Sequence, residues 1–158
     1  MITVRPIAAG EGALLHAMIR SLADSHGQLD HLEATPRMLE AALAEPHGVV
    51  GCLIAEADGA PAGYAFWHRS FSTFRGRSTI HLEDIAVLPD FQRHGIGRAL
   101  MRAMAALAVR EGYASISWMM MGWNDKARAF YEDLGADIEP GMAQCRLSGA
   151  ALARAAGK

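Results

Sequence analysis

The chain has 158 residues, the size of one ordinary domain, and 51% of them are apolar against 20% charged, which excludes intrinsic disorder over most of its length. Fifteen Lys and Arg against seventeen Asp and Glu leave a formal net charge of -2, which excludes the dense positive field that a nucleic-acid partner demands. Two cysteines far apart, Cys52 and Cys145, exclude a disulfide framework and read as buried thiols of a reducing compartment.

Ile2 to Arg5 predicts a short strand. The opening residues lack the apolar stretch of a signal peptide, and no segment reaches the ~20 apolar residues of a membrane span, so a soluble, cytoplasmic protein is expected, without membrane partners. Leu14, Leu15, Met18, Ile19 and Leu22 then recur at helical spacing as far as Gly27. A second, shorter helix opens at Thr35-Pro36, a cap followed by a first-turn proline, carries Met38, Leu39, Ala42 and Leu43 on one face, and stops at Pro46. Val49 to Glu56 and Ala62 to Phe71 read as strands joined by a tight Asp58-Gly59 turn, and Ser78 to Val87 adds a third strand of an antiparallel meander.

Ile96, Leu100, Met104, Leu107 and Ala108 mark a long helix ending near Gly112, and the strand Ala114 to Met121 after it makes this passage the one parallel crossover. Asn124 caps a helix carrying Ala127, Phe130, Tyr131 and Leu134, closed by Gly135. A last strand is expected near Met142 to Ser148. The class is therefore α+β: one domain over residues 1–149, with a mixed, mostly antiparallel central sheet flanked by helices, and an Ala-rich tail over 150–158.

The segment richest in chemistry is Asp90-Phe91-Gln92-Arg93-His94-Gly95-Ile96-Gly97-Arg98, between the end of a strand and the start of a helix. Two glycines let backbone approach a ligand, and the unpaired N–H groups of a helix's first turn favour an anion. The same glycines also suit a plain tight turn. A P-loop is excluded because Arg98 and Ala99 follow Gly97 in place of Lys and Ser/Thr, and a dinucleotide fingerprint because Leu100 stands where its third glycine belongs. His81-Leu82-Glu83 matches the first half of a zinc-deaminase signature, but no Pro-Cys-x-x-Cys follows. His26 and His31 lie near loops and read as solvent-exposed, and no serine sits in Gly-x-Ser-x-Gly. No metal is expected.

From Gly63 to Ala136 the chain resembles the GNAT superfamily of acetyl-CoA-dependent N-acetyltransferases. Gln92-Arg93-His94-Gly95-Ile96-Gly97 is similar to its pyrophosphate loop, and Asn124-Asp125-Lys126-Ala127-Arg128-Ala129-Phe130-Tyr131 to its later Asn-x-x-Ala-x-x-Phe-Tyr helix. Leu82 to Phe91 and the Trp123-Asn124 pair look most like the diamine, spermidine and thialysine acetyltransferases. The resemblance implies a GNAT-type sheet and acetyl-CoA as cosubstrate. It places the pyrophosphate on Gln92, Arg93, His94, Gly95, Ile96, Gly97 and Arg98, and the pantetheine along Ile85, Ala86 and Val87, with Asn124, Ala127 and Phe130 also near the cofactor. It further implies Tyr131 as the acid that protonates the departing thiolate, Glu83 as the base acting through water, and a homodimer, to which the strand Ala62 to Phe71 could contribute.

The chemistry explains why such residues are needed. An alkylammonium has a pKa of about 10 and must lose a proton before attacking a thioester. Glu83 and Asp84 are adjacent acids in an apolar strand, where side-chain alternation sends only one of them into a given pocket unless a bulge intervenes. Glu83 as a paired structural carboxylate is the lesser alternative, and Asn124 is accounted for as a helix cap alone. Asp84, Phe74 and Trp123 are candidate acceptor-binding residues. Arg75 and Arg77 precede the central strand and would repel the far end of a long polyamine, so a short diamine, a lysine-like amine or another small primary amine is the expected acceptor. Neither cysteine lies in a matched motif, which favours direct attack in a ternary complex. A protein lysine or N-terminal acetyltransferase and a non-catalytic acyl-CoA sensor are the alternatives.

Overall fold

The computed structural model describes residues 1–45, 48–141 and 144–157. Its backbone forms two compact units, Met1–Met119 and Met120–Lys158. The first holds strands β1 (Ile2–Pro6), β2 (Val50–Ala57), β3 (Ala60–Ser72), β4 (Arg77–Val87) and β5 (Ile116–Trp118), with helices α1 (Gly12–Ser25), α2 (Pro36–Ala44) and α3 (Ile96–Arg110). The second holds α4 (Asp125–Asp133) and α5 (Gly149–Ala155).

The sheet runs in sequence order, β1-β2-β3-β4-β5, antiparallel throughout except for the parallel β4–β5 pair that the α3 crossover creates. Each β2–β4 strand is buried where helices cover both faces. Side-chain alternation sends Cys52, Ile54 and Tyr64 into a cluster with Leu15 and Met18 of α1. Leu53, Ala55 and Ala65 point to the other face, against which α3 packs the row Ile96, Leu100 and Met104, each exposed by 1% or less. Trp67 lies across Gly51, its cross-strand neighbour; a Cβ on Gly51 would stand 2.3 Å from the indole.

Polar ties fix the entry to α1. Arg5 on β1 donates to both oxygens of Glu11, at 2.8 Å each, and to Glu56 on β2 at 2.9 Å. Arg5 holds the Glu11 carboxyl down at about 2. Glu40 of α2 accepts from the N–H groups of Gly10 and Gly12, the donors that the start of α1 leaves open. Thr35 caps α2 through the Met38 N–H, with Pro36 in the first turn, as its sequence predicts. Pro46 lies outside the described residues.

Four expectations change. The strand expected over Ala114 to Met121 pairs only from Ile116 to Trp118, because its ladder with β4 stops at Leu82, where β4 bulges. Gln144–Ser148 form no strand, and Met142 of that expected strand lies outside the described residues. The Ala-rich end is helical over Gly149–Ala155, as alanine's propensity favours. Cys145 is exposed, not buried, and only Cys52 is a core thiol.

Candidate active site

The irregularity in β4 sets the geometry. Asp84 pairs with Phe66 and Leu82 with Trp67, so Glu83 is an extra residue with no opposite number on β3. A bulge of this kind suspends alternation. Tyr64, Phe66 and His68 lie along one face of β3, the face of the α1 cluster. Glu83 Oε2 lies 3.8 Å from His68 Nε2, while the charge of Asp84 falls on Tyr64 and Cys52. Both acids therefore belong to the α1 side of the sheet.

They differ in burial. The Glu83 side chain is 59% exposed. Burial, followed by repulsion from Glu83, pushes the Asp84 carboxyl up, and His26 at the end of α1 partly opposes this. The Tyr64 hydroxyl beside it is fully buried and has no hydrogen-bond partner among the described residues. Burial also pushes the Cys52 thiol up to about 12, so it carries no thiolate near neutral pH.

The β4 residues that follow these acids, 85–87, form one wall of a cleft of about 220 Å³ together with Gln92, with Met18, Ser21, Ser25 and His26 on the other wall; neither acid lines it. The α1 wall escapes a reading of motifs. Its only sequence signal is Ser21 and Ser25, one helical turn apart and beside the apolar stripe.

Past Val87 the chain makes a single 3-10 turn, Pro89–Phe91, and Gln92 folds back to donate from Nε2 to the Val87 carbonyl at 3.4 Å. Arg93 and Gly95 then both take positive φ, 65° and 82°, and Gly95 caps α3 in the left-handed conformation with no side-chain hydrogen bond at that end. Left-handed residues alternating with ordinary ones turn successive N–H groups inward, and the uncapped first turn adds its own. Buried Ile96 anchors the helix start, while Gln92, Arg93, His94 and Arg98 are exposed. At Gly95 the nearest atom to an added Cβ is 3.9 Å away, so that glycine is required by its φ and not by lack of room. Gly63 is the opposite case: a Cβ there would stand 2.6 Å from the Ala86 carbonyl oxygen.

Ile85, Ala86 and Val87 pair with β3 on one side. On the other side the β5 ladder ends at Leu82, so beyond it this edge of β4 has no strand partner among the described residues. An extended amide-bearing chain fits such an edge, and an anion of the pyrophosphate kind fits the N–H groups of the adjoining loop.

Asn124, Ala127, Phe130, Tyr131 and Trp123 fall in the second unit. Asn124 caps α4 by accepting from the Ala127 N–H at 3.0 Å. Tyr131 is 8% exposed, with its ring centroid 5.3 Å from that of Phe130, and burial raises its hydroxyl pKa. Trp123 is exposed in the turn before α4. Phe74 is fully exposed at the β3–β4 hairpin tip, and five residues of strand, about 17 Å, separate Arg77 from Leu82, so Phe74 does not join Glu83 and Asp84.

Residues 15–136 match the Acetyltransferase (GNAT) family. The chain belongs to the GNAT acetyltransferase family. It is therefore an acyltransferase, of a family whose members use acetyl-CoA as cosubstrate. A thialysine N-epsilon-acetyltransferase of Bos taurus is 30% identical over 99% of this chain and 98% of its own length. An L-ornithine N5-acetyltransferase of Arabidopsis thaliana is 33% identical over 58% of this chain and 40% of its own. Among solved structures, an integron cassette protein from the mobile metagenome of V. cholerae superposes with a TM-score of 0.82 over 99% of this chain and 98% of that one, at 19% identity. An aminoglycoside acetyltransferase from a soil metagenome superposes with a TM-score of 0.80 over 93% and 95%, at 16% identity. These two share the GNAT fold.

Proposed function

We propose that this GNAT enzyme transfers acetyl from acetyl-CoA to a primary amine of a small molecule, a short diamine or a lysine-like amine, by direct attack in a ternary complex. The observation that carries this reading is the bulge at Glu83, which sets two carboxylates of unlike burial at the start of the open β4 edge, immediately before the residues that line the cleft. The full-length similarity to thialysine acetyltransferases supports the choice of amine.

In this reading Gln92, Arg93, His94, Gly95, Ile96, Gly97 and Arg98 hold the pyrophosphate, chiefly through backbone N–H groups. Ile85, Ala86 and Val87 hydrogen-bond the pantetheine amides, and Asn124, Ala127 and Phe130 are further candidates for cofactor contact. Asp84, half-buried near His26, holds the acceptor's ammonium group, and Trp123 is a further candidate for acceptor contact. Glu83, open to solvent, takes a proton from the ammonium through water so that the free amine can attack the thioester carbon. As the C–S bond breaks, Tyr131 gives its hydroxyl proton to the sulfur. No covalent acetyl-enzyme is required, and the depressed acidity of Cys52 supports its absence from the path. The chemistry uses no metal. The protein works in the cytoplasm as a homodimer, to which β3 can contribute only its exposed end, Arg69–Phe71.

The test is a panel of primary amines with acetyl-CoA, following CoA release. The reading expects thialysine, ornithine or putrescine among the best acceptors. Turnover with a lysine-containing peptide and none with free amines would replace it with protein acetylation.

A further inference from the structure

We propose that His68, His81 and Glu83 form a binding site for a divalent transition-metal ion of the zinc class. His68 on β3 and His81 on β4 are directly opposed in register, with ring centroids 4.9 Å apart. The bulge brings Glu83 to the same place, and one ligand atom from each of the three lies within 4.8 Å of the others.

Tetrahedral coordination at about 2.0–2.1 Å needs ligand atoms about 3.3 Å apart, so side-chain rotation of about 1.5 Å closes the set. The second ring nitrogens both face oxygen atoms. His68 Nδ1 lies 3.2 Å from the Arg69 carbonyl, which can only accept, so the neutral ring carries its proton on Nδ1 and its lone pair on Nε2. His81 Nδ1 lies 3.4 Å from the Ser117 hydroxyl, which can accept from it and so leave Nε2 free to ligate. A ligating imidazole whose other nitrogen is held by an oxygen acceptor is the usual outer-shell arrangement of a metal histidine. Two neutral imidazoles and one carboxylate give a net charge of -1, which favours a dication. With His68 39% and Glu83 59% exposed, solvent can supply the fourth ligand.

Such an ion is no part of acetyl transfer. By occupying the Glu83 carboxylate it would inhibit transfer, a consequence that rests on Glu83 being the base.

The experiment uses untagged, chelator-stripped full-length protein titrated calorimetrically with Zn²⁺. One ion per chain is expected, with shifts of both imidazole Nε2 resonances by NMR. His68→Ala and His81→Ala should each weaken binding by about tenfold or more, while His31→Ala, on an exposed turn, binds as the parent does. Failure of the parent to bind, or unchanged affinity in both His68→Ala and His81→Ala, overturns the site, and the NMR shifts decide independently if a variant does not fold. Zinc binding without inhibition upholds the site and tells against Glu83 as base, so the two readings fail separately.

Discussion

Glu83 and Asp84 are consecutive residues of one strand, yet the extra residue at the β4 bulge leaves both on the α1 side of the sheet. Their proposed roles separate by exposure. Glu83→Gln should lower kcat/KM for a primary amine at neutral pH and recover as the pH approaches the amine's own pKa of about 10, since free amine then arrives without help. Asp84→Asn should raise KM at every pH at which the amine is charged. Parallel pH profiles for Glu83→Gln and the parent would remove Glu83 as the base.

At the loop, Gly95→Ala should cost about 1 kcal/mol of stability and weaken acetyl-CoA binding, because a left-handed φ is unfavourable for a side chain even where space is open. Gly95→Asn should be milder, since asparagine tolerates that conformation better. Calorimetric affinity for acetyl-CoA and thermal unfolding test the pair together.

Tyr131→Phe retains the ring and its contact with Phe130 while removing the hydroxyl. Turnover should fall by about 10²-fold, with little change in Tm. Unchanged kcat in single-turnover measurements would exclude the hydroxyl as the acid.

The Arg5–Glu11 pair predicts an acid-sensitive component of stability. The folded carboxyl at about 2 lies below its unfolded value, so the contribution is complete above about pH 5 and is lost as pH falls towards 2. Glu11→Gln should destabilise the fold by about 1 kcal/mol at pH 7. The gap to the parent should close on acidification, which denaturant titrations at several pH values would reveal.

Thiol labelling separates the two cysteines. Cys145 is exposed and should react with a disulfide reagent in the native protein, whereas Cys52, buried and with its thiol at about 12, should react only on unfolding. Rapid native labelling of Cys52 would contradict the packing of the α1 cluster.

Much of the architecture is legible in short-range signals. The meander follows from strand alternation around Asp58-Gly59, and α3 follows from a clean apolar stripe between two glycines. The β4 bulge is not legible, because Leu82-Glu83-Asp84-Ile85 reads equally well as regular alternation; the register slip exists only relative to β3. For the same reason His81-x-Glu83 shows two members of the histidine cluster, while His68 joins it through cross-strand pairing that no local pattern encodes. The short β5 and the absent strand over Gln144–Ser148 fail for a related reason: apolar runs show what a segment could pair with, not where the neighbouring strand stops.

Arg93 is held at a φ of 65°, a conformation that disfavours any residue with a side chain. Replacing it with glycine would relax the backbone by about 1 kcal/mol while deleting a cation beside the N–H groups of the loop. If the loop holds the cofactor's pyrophosphate as proposed, stability and anion recognition rank the residues at this position in opposite orders. A thermostabilised variant selected only for a higher melting temperature would be drawn towards Arg93→Gly and should emerge with weaker hold on its acyl donor.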